Sequence, residues 1–138
     1  MKRIFLLLLS FSMISCLTIT DTINPSKRLI NYRLKNEIMY DTAIVKFPKY
    51  EVLAYHYQDN MHDLSIEFTL HFQEMDFEIM IWNELETNIP IINKTIPTKW
   101  EIEENKYTYK NNKVNEKSIQ IIFDRLNKTL YYEELSMF

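Results

Sequence analysis

From residue 41 onward, apolar and polar side chains alternate with a period of two. The clearest run covers residues 64–73, where Leu64, Ile66, Phe68, Leu70 and Phe72 alternate with Ser65, Glu67, Thr69, His71 and Gln73. Strict alternation places one set on each face of a strand. Residues 50–58 form a similar run, separated from it by the turn-forming residues 59–63. Setting Tyr57 opposite Ser65 puts Tyr50, Val52, Ala54 and His56 on the face of Phe72, Leu70, Phe68 and Ile66. A turn at Glu74 and Met75 would then pair Phe72 with Phe77, Leu70 with Ile79 and Phe68 with Ile81. In that register Leu53, Tyr55 and Tyr57 share the second face with Met80 and Trp82. That face is only partly polar, so it either packs on another layer or receives an apolar ligand or a partner.

The same device recurs downstream. Trp100-Glu101-Ile102 and Tyr107-Thr108-Tyr109 flank a polar turn, and pairing Phe123 with Leu130 and Ile121 with Tyr132 keeps apolar sets together. Pro90 and Pro97 bracket an edge strand or loop. Residues 110–117 read as an exposed polar loop. Residues 27–40 fit two patterns: Ile30, Leu34 and Ile38 are spaced by four as on a helix, while residues 29–34 could form a strand. The expected fold is all-β, an antiparallel meander of about eight strands closing a small barrel or stacking as a two-sheet sandwich, with room for one short N-terminal helix.

Composition narrows the chemistry. The 138 residues include no glycine. This excludes dinucleotide and nucleotide phosphate loops, the nucleophile elbow and the EF-hand loop, all of which need a backbone without Cβ. The expected turns fall instead on Asp59-Asn60, Asn105, Asn111-Asn112, Asp124 and Asn127, residue types that tolerate a left-handed backbone. With twelve Asn against two Ala, the missing glycine also reflects an AT-rich coding bias. Sixteen basic side chains less Lys2 and Arg3 leave 14 against 19 acidic ones, a charge of −5 once a leader is removed. A mildly acidic chain lacks the basic face that nucleic acid requires, so no nucleic-acid partner is expected.

The N-terminus carries the strongest motif. Met1-Lys2-Arg3 precedes an apolar run from residue 4 to residue 9, continued by Phe11, Met13 and Ile14, and the only cysteine follows in Met13-Ile14-Ser15-Cys16. A basic start before a short apolar stretch is the pattern of a secretory signal. The segment resembles a bacterial lipoprotein signal peptide, whose lipobox ends in a small residue and a lipid-bearing cysteine. Ser15 fits the small position, while Met13 stands where Leu is most common. The resemblance covers only about the first 16 residues. It implies cleavage before Cys16, acylation of Cys16 and anchoring at a membrane of the cell envelope, the outer one where there are two, since Leu17 rather than Asp follows. Competing readings are a plain secretory signal, an uncleaved helix too short for the ~20 residues of a span, or a buried first element. The organisation expected is a signal in residues 1–15, a lipidated tether in residues 16–27 and a single β domain in residues 28–138.

Other constellations are weaker. His56, His62 and His71 lie near Asp59, Asp63 and Asp76, but the register above scatters them, so no metal site is expected. Glu67, Glu78, Glu101, Glu103 and Glu133 could supply a glycosidase-like pair, yet they occupy the polar positions of amphipathic strands. Ser65, Ser118 and Ser136 sit in no nucleophile motif. Lys106, Lys110, Lys113 and Lys117 surround Tyr107 and Tyr109 among interleaved glutamates, a pattern of salt-paired hairpins. Asn93-Lys94-Thr95 and Asn127-Lys128-Thr129 match the glycosylation acceptor and are read as turns. The expected function is a non-catalytic binding or interaction module without cofactor, held at the membrane by Cys16, with Leu53, Tyr55, Tyr57, Met80 and Trp82 facing a protein partner or a small apolar ligand. The alternatives are a lipocalin-like carrier and an envelope hydrolase without a recognisable motif.

The lipid anchor makes a direct prediction. The wild-type chain should incorporate radiolabelled palmitate and show globomycin-sensitive processing, and Cys16→Ala should abolish both. An unlabelled wild type would sink the assignment.

Overall fold

The structure is a computed structural model that describes residues 26–97, 99–112 and 117–137. The lipobox and Cys16 lie outside the described residues. The chain divides into two compact units, Met1–Arg33 and Leu34–Phe138. The described part of the first is a helix, α1 (Ser26–Arg33). The second opens with a π-helical segment, Leu34–Ile38, and α2 (Met39–Thr42). Residues 27–40 are therefore helical, and the spacing by four is the pattern that decides: Ile30, Leu34 and Ile38 are all buried.

Six antiparallel strands follow: β1 (Tyr50–Asp59), β2 (Asp63–Phe72), β3 (Trp100–Glu103), β4 (Lys106–Asn112), β5 (Lys117–Asp124) and β6 (Thr129–Met137). They form one sheet in the order β1-β2-β6-β5-β4-β3. The chain is thus mainly β, but the sheet has six strands rather than eight, and it stays open because β1 and β3 are its two edges. Of the two expected architectures, a barrel or a two-sheet sandwich, the barrel does not form, and the barrel of a lipocalin-like carrier falls with it. The layer over the sheet is helical: α3 (Glu74–Asp76), a π-helical segment (Phe77–Trp82) and α4 (Asn83–Thr95).

This helical run replaces the strand expected after Phe72. Phe77, Ile79 and Ile81 alternate, but Phe77, Ile81, Leu85 and Ile89 also recur every four residues, and these four are fully buried while Ile79 is exposed. The longer periodic pattern wins because it buries a whole helical stripe against one sheet face. Pro90 lies inside α4 rather than beside an edge strand, on the exposed side of the helix. Its missing N–H removes one helical bond at a cost of about 3 kcal/mol, which the buried stripe of the helix must outweigh.

The hairpins expected downstream form as drawn. Trp100 faces Tyr109, Ile102 faces Tyr107, Phe123 faces Leu130 and Ile121 faces Tyr132. The polar stretch after Lys110 is not all loop, for β4 continues to Asn112 and β5 starts at Lys117. The β1–β2 register agrees from Tyr50↔Phe72 to Val52↔Leu70, and then a bulge intervenes at Leu53. Beyond it Tyr55 faces Phe68 and Tyr57 faces Ile66, so Ala54 and His56 turn to the opposite face from the one expected. One extra residue inverts every later side chain of a strand.

The inner face is a set of cross-strand rows. One runs Tyr55, Phe68, Tyr132, Ile121, Tyr109, Trp100, and the next runs Val52, Leu70, Leu130, Phe123, Tyr107, Ile102. Phe68 stacks on Tyr132 with centroids 5.0 Å apart, and Trp82 descends from the helical layer to within 4.7 Å of Tyr107. Among the described residues two carry a left-handed backbone, Ala43 (φ 57°) and Lys128 (φ 55°), so none of the described asparagines takes that role. Ala43 caps α2 by donating its N–H to Met39 O at 2.9 Å. Among the described residues no helix is long and apolar enough to cross a membrane.

The helical assignment of residues 77–89 is testable by truncation. Leu85→Ala should cost about 2–5 kcal/mol by opening a core cavity, whereas Ile79→Ala should stay within about 0.5 kcal/mol. Chemical denaturation that found the two equal would contradict the helix.

Candidate functional site

One row toward the start of β2 and the end of β6 differs from the others. It runs Tyr57, Ile66, Glu134, Ile119, Asn111, so a carboxylate takes a core position between two isoleucines. Glu134 is 2% exposed. Alternation brings it there, since Leu130, Tyr132 and Glu134 share one phase of β6. Tyr132 Oη donates to Glu134 Oε2 at 2.8 Å. Lys117 Nζ, from the first residue of β5, lies 3.5 Å from Glu134 Oε1 and also donates to Glu37 Oε1. Glu37 is presented by the π-helical segment Leu34–Ile38. Lys117 and Glu37 are one-third and one-quarter exposed, so the network runs from solvent to a buried acid. A carboxylate, an ammonium and a phenol in this setting can hold a polar group by exchange of one partner.

Other expected site residues do not gather. Leu53 occupies the bulge and is exposed. Tyr55 and Tyr57 share a face as expected, but it is the inner one. Met80 and Trp82 are helical and belong to no strand. Trp82 packs on Tyr107, whose strand lies four spacings from β1, about 19 Å. Leu53, Tyr55, Tyr57, Met80 and Trp82 therefore do not form one face.

His56 is exposed on the outer face of β1, His62 lies in the β1–β2 turn, and His71 faces Glu51 across the hairpin. Among the described residues, no three His, Cys, Asp or Glu side chains are placed to hold a metal ion. Glu67 and Glu133 face one another on the outer side of β2 and β6. Tyr131 Oη donates to Glu133 Oε2 at 2.8 Å, and burial together with the Glu133 and Glu67 carboxylates pushes this phenol well above the usual tyrosine range. Glu101 and Glu103 are exposed on β3. The Asn93 amide is committed to the fold, because its Nδ2 donates to Trp100 O and its Oδ1 accepts from Trp100 N, both at 3.0 Å. Asn127 donates through Nδ2 to Asp124 Oδ2 at 2.9 Å and closes the β5–β6 turn.

Glu78 belongs to a structural cluster. Arg125 Nε and Nη2 donate to its two oxygens at 3.1 and 3.0 Å, and Lys128 Nζ donates to Oε1 at 2.8 Å. The Arg125 guanidinium also lies 5.3 Å from the Trp82 ring centroid. These contacts tie the helical layer to the β5–β6 turn.

Sequence reasoning singled out Glu133 and passed over Glu134, its core-phase neighbour. The signal was present in the alternation of β6, but a charged residue in phase with Leu130 and Tyr132 reads as the end of a strand.

The hydrogen bonds from Arg125 and then Lys128 hold the Glu78 carboxyl below its ordinary range. A carboxyl so lowered stabilises the fold above about pH 4.3, the unfolded value, and the contribution is lost as pH falls through the lower folded value. Glu78→Gln should therefore flatten the acid limb of the stability–pH curve, as followed by thermal unfolding from neutral pH downward. Comparison of the chain with protein-family models, with curated proteins and with solved structures finds no match in any of the three.

Proposed function

We propose that this chain is a lipid-anchored protein of a bacterial cell envelope, whose β-rich domain is a non-catalytic binding module. Cys16 is the anchor, and two or more acyl chains there give the stable membrane hold that a single chain does not. The ligand or protein partner docks at the Glu134 end of the inner sheet face. The observation that carries this reading is the burial of Glu134 at a core-phase position. A buried, paired carboxylate contributes little to stability compared with an apolar side chain of the same size. Its use here is recognition: a ligand amine or hydroxyl group takes the place of Lys117 beside it. Tyr57, 45% exposed and in the same row, forms the approach. Tyrosine suits such a place because it joins a large apolar body to one polar tip.

A photo-crosslinking residue at position 57 of the full-length protein, expressed in its host, should capture a discrete partner. The same residue at position 126, exposed in the turn at the other end of the sheet, should not. Glu134→Leu leaves the buried Tyr132 hydroxyl without this acceptor, so it should lower the melting temperature while the chain stays folded at the labelling temperature, and lose the crosslink. Identical products at both positions, or a crosslink that survives Glu134→Leu, would overturn the site.

A further inference from the structure

At the opposite end of the sheet from Glu134, the start of β1 and the end of β2 meet the first helical turn of the covering layer. They border a half-open cleft of about 270 Å³ lined by Lys49, Tyr50, Glu51, His71, Gln73 and Asp76. Glu51 and His71 face one another across the hairpin, and the half-buried Tyr50 ring meets Phe72 edge-on at 6.4 Å. Gln73, in extended conformation, leads from β2 into α3. We infer that this cleft binds one neutral sugar residue of a glycan.

The lining selects the class. It offers acceptors from Glu51, Asp76 and the Gln73 carbonyl, and donors from Lys49, Tyr50 and the Gln73 amide. A sugar hydroxyl both donates and accepts, so a ring of them satisfies both kinds of group. An aliphatic ligand would strip water from these groups without replacing its hydrogen bonds. An inorganic anion would meet two carboxylates. A divalent cation needs ligating side chains converging on one point, and the described residues offer no such group. The Tyr50 ring offers a flat apolar surface for the C–H face of a sugar.

Saturation-transfer NMR on the full-length chain tests this with methyl β-glucoside and N-acetylglucosamine as probes, and with glycine and phosphate for comparison. At least one sugar should receive saturation at its ring protons, with binding in the millimolar range. Tyr50→Ala should weaken binding by about tenfold, equivalent to about 1.4 kcal/mol. Gln73→Ala and Glu51→Gln, at exposed positions that leave the core intact, should weaken it several-fold, and Leu126→Ala should not change it. Transfer to neither sugar, transfer unaffected by Gln73→Ala and Glu51→Gln, or competition by glycine or phosphate at the same residues would overturn the inference.

Discussion

An open six-stranded sheet has one apolar face that must be covered, and in this chain the segment between β2 and β3 covers it. Each of β2, β4, β5 and β6 sends its apolar set to that face, and the helical stripe of Phe77, Ile81, Leu85 and Ile89 meets it. Strand order follows from the same requirement. The chain leaves β2 at Phe72 and crosses as helix, re-entering at the far edge as β3. The meander then returns through β4 and β5, until β6 pairs with β2 and buries the gap between the two hairpins. Without the helical layer, Phe68, Tyr132, Phe123 and Tyr107 would form a continuous exposed aromatic surface, a kind of patch that sheets facing water rarely leave open.

Polar contacts at the rim position this layer. Glu78 receives Arg125 and Lys128 from the β5–β6 turn, and Trp82 Nε1 donates to Glu86. At the other end Asn93 clamps the backbone of Trp100, and Trp100 Nε1 donates to Asp41 O at the end of α2. Asn88 Nδ2 donates to Thr42 O in the same region. The last carbonyls of a helix lack partners within it. Here two of them are met by side chains of the covering layer and β3, which locks α2 to the fold. The hydrophobic stripe sets which face is covered, and these bonds set the position along it.

Where the sequence had one apolar period, its reading agreed with the structure. The pairings of β3 with β4 and of β5 with β6 are those of the apolar sets, because nothing competes with the two-residue period there. Residues 77–82 satisfied two periods at once, since Phe77, Ile79 and Ile81 alternate while Phe77 and Ile81 also lie four apart. The helix is decided by Leu85 and Ile89 further on, and by the need to cover the sheet. The bulge at Leu53 had no local mark at all, for both phases of residues 50–58 carry large apolar side chains. Glu134 was hidden by its own charge, which argued for the outer face while its phase argued for the inner one.

That bulge also decides what the two ends of the inner face become. Before Leu53 the strand keeps Tyr50 and Val52 over Phe72 and Leu70, and the turn into α3 adds Gln73 and Asp76 around them. After Leu53 the phase shifts by one residue, so tyrosines 55 and 57 face inward where alanine and histidine would otherwise stand. An unbulged strand would set Ala54 and His56 beside Phe68, Ile66 and the buried Glu134, leaving a small side chain and a second titratable group at that end. The extra residue substitutes two phenol rings, which extend the aromatic row of Phe68 and Tyr132 to the edge of the sheet. One inserted residue in an edge strand therefore separates a polar cleft at one end from an aromatic approach to an acid at the other.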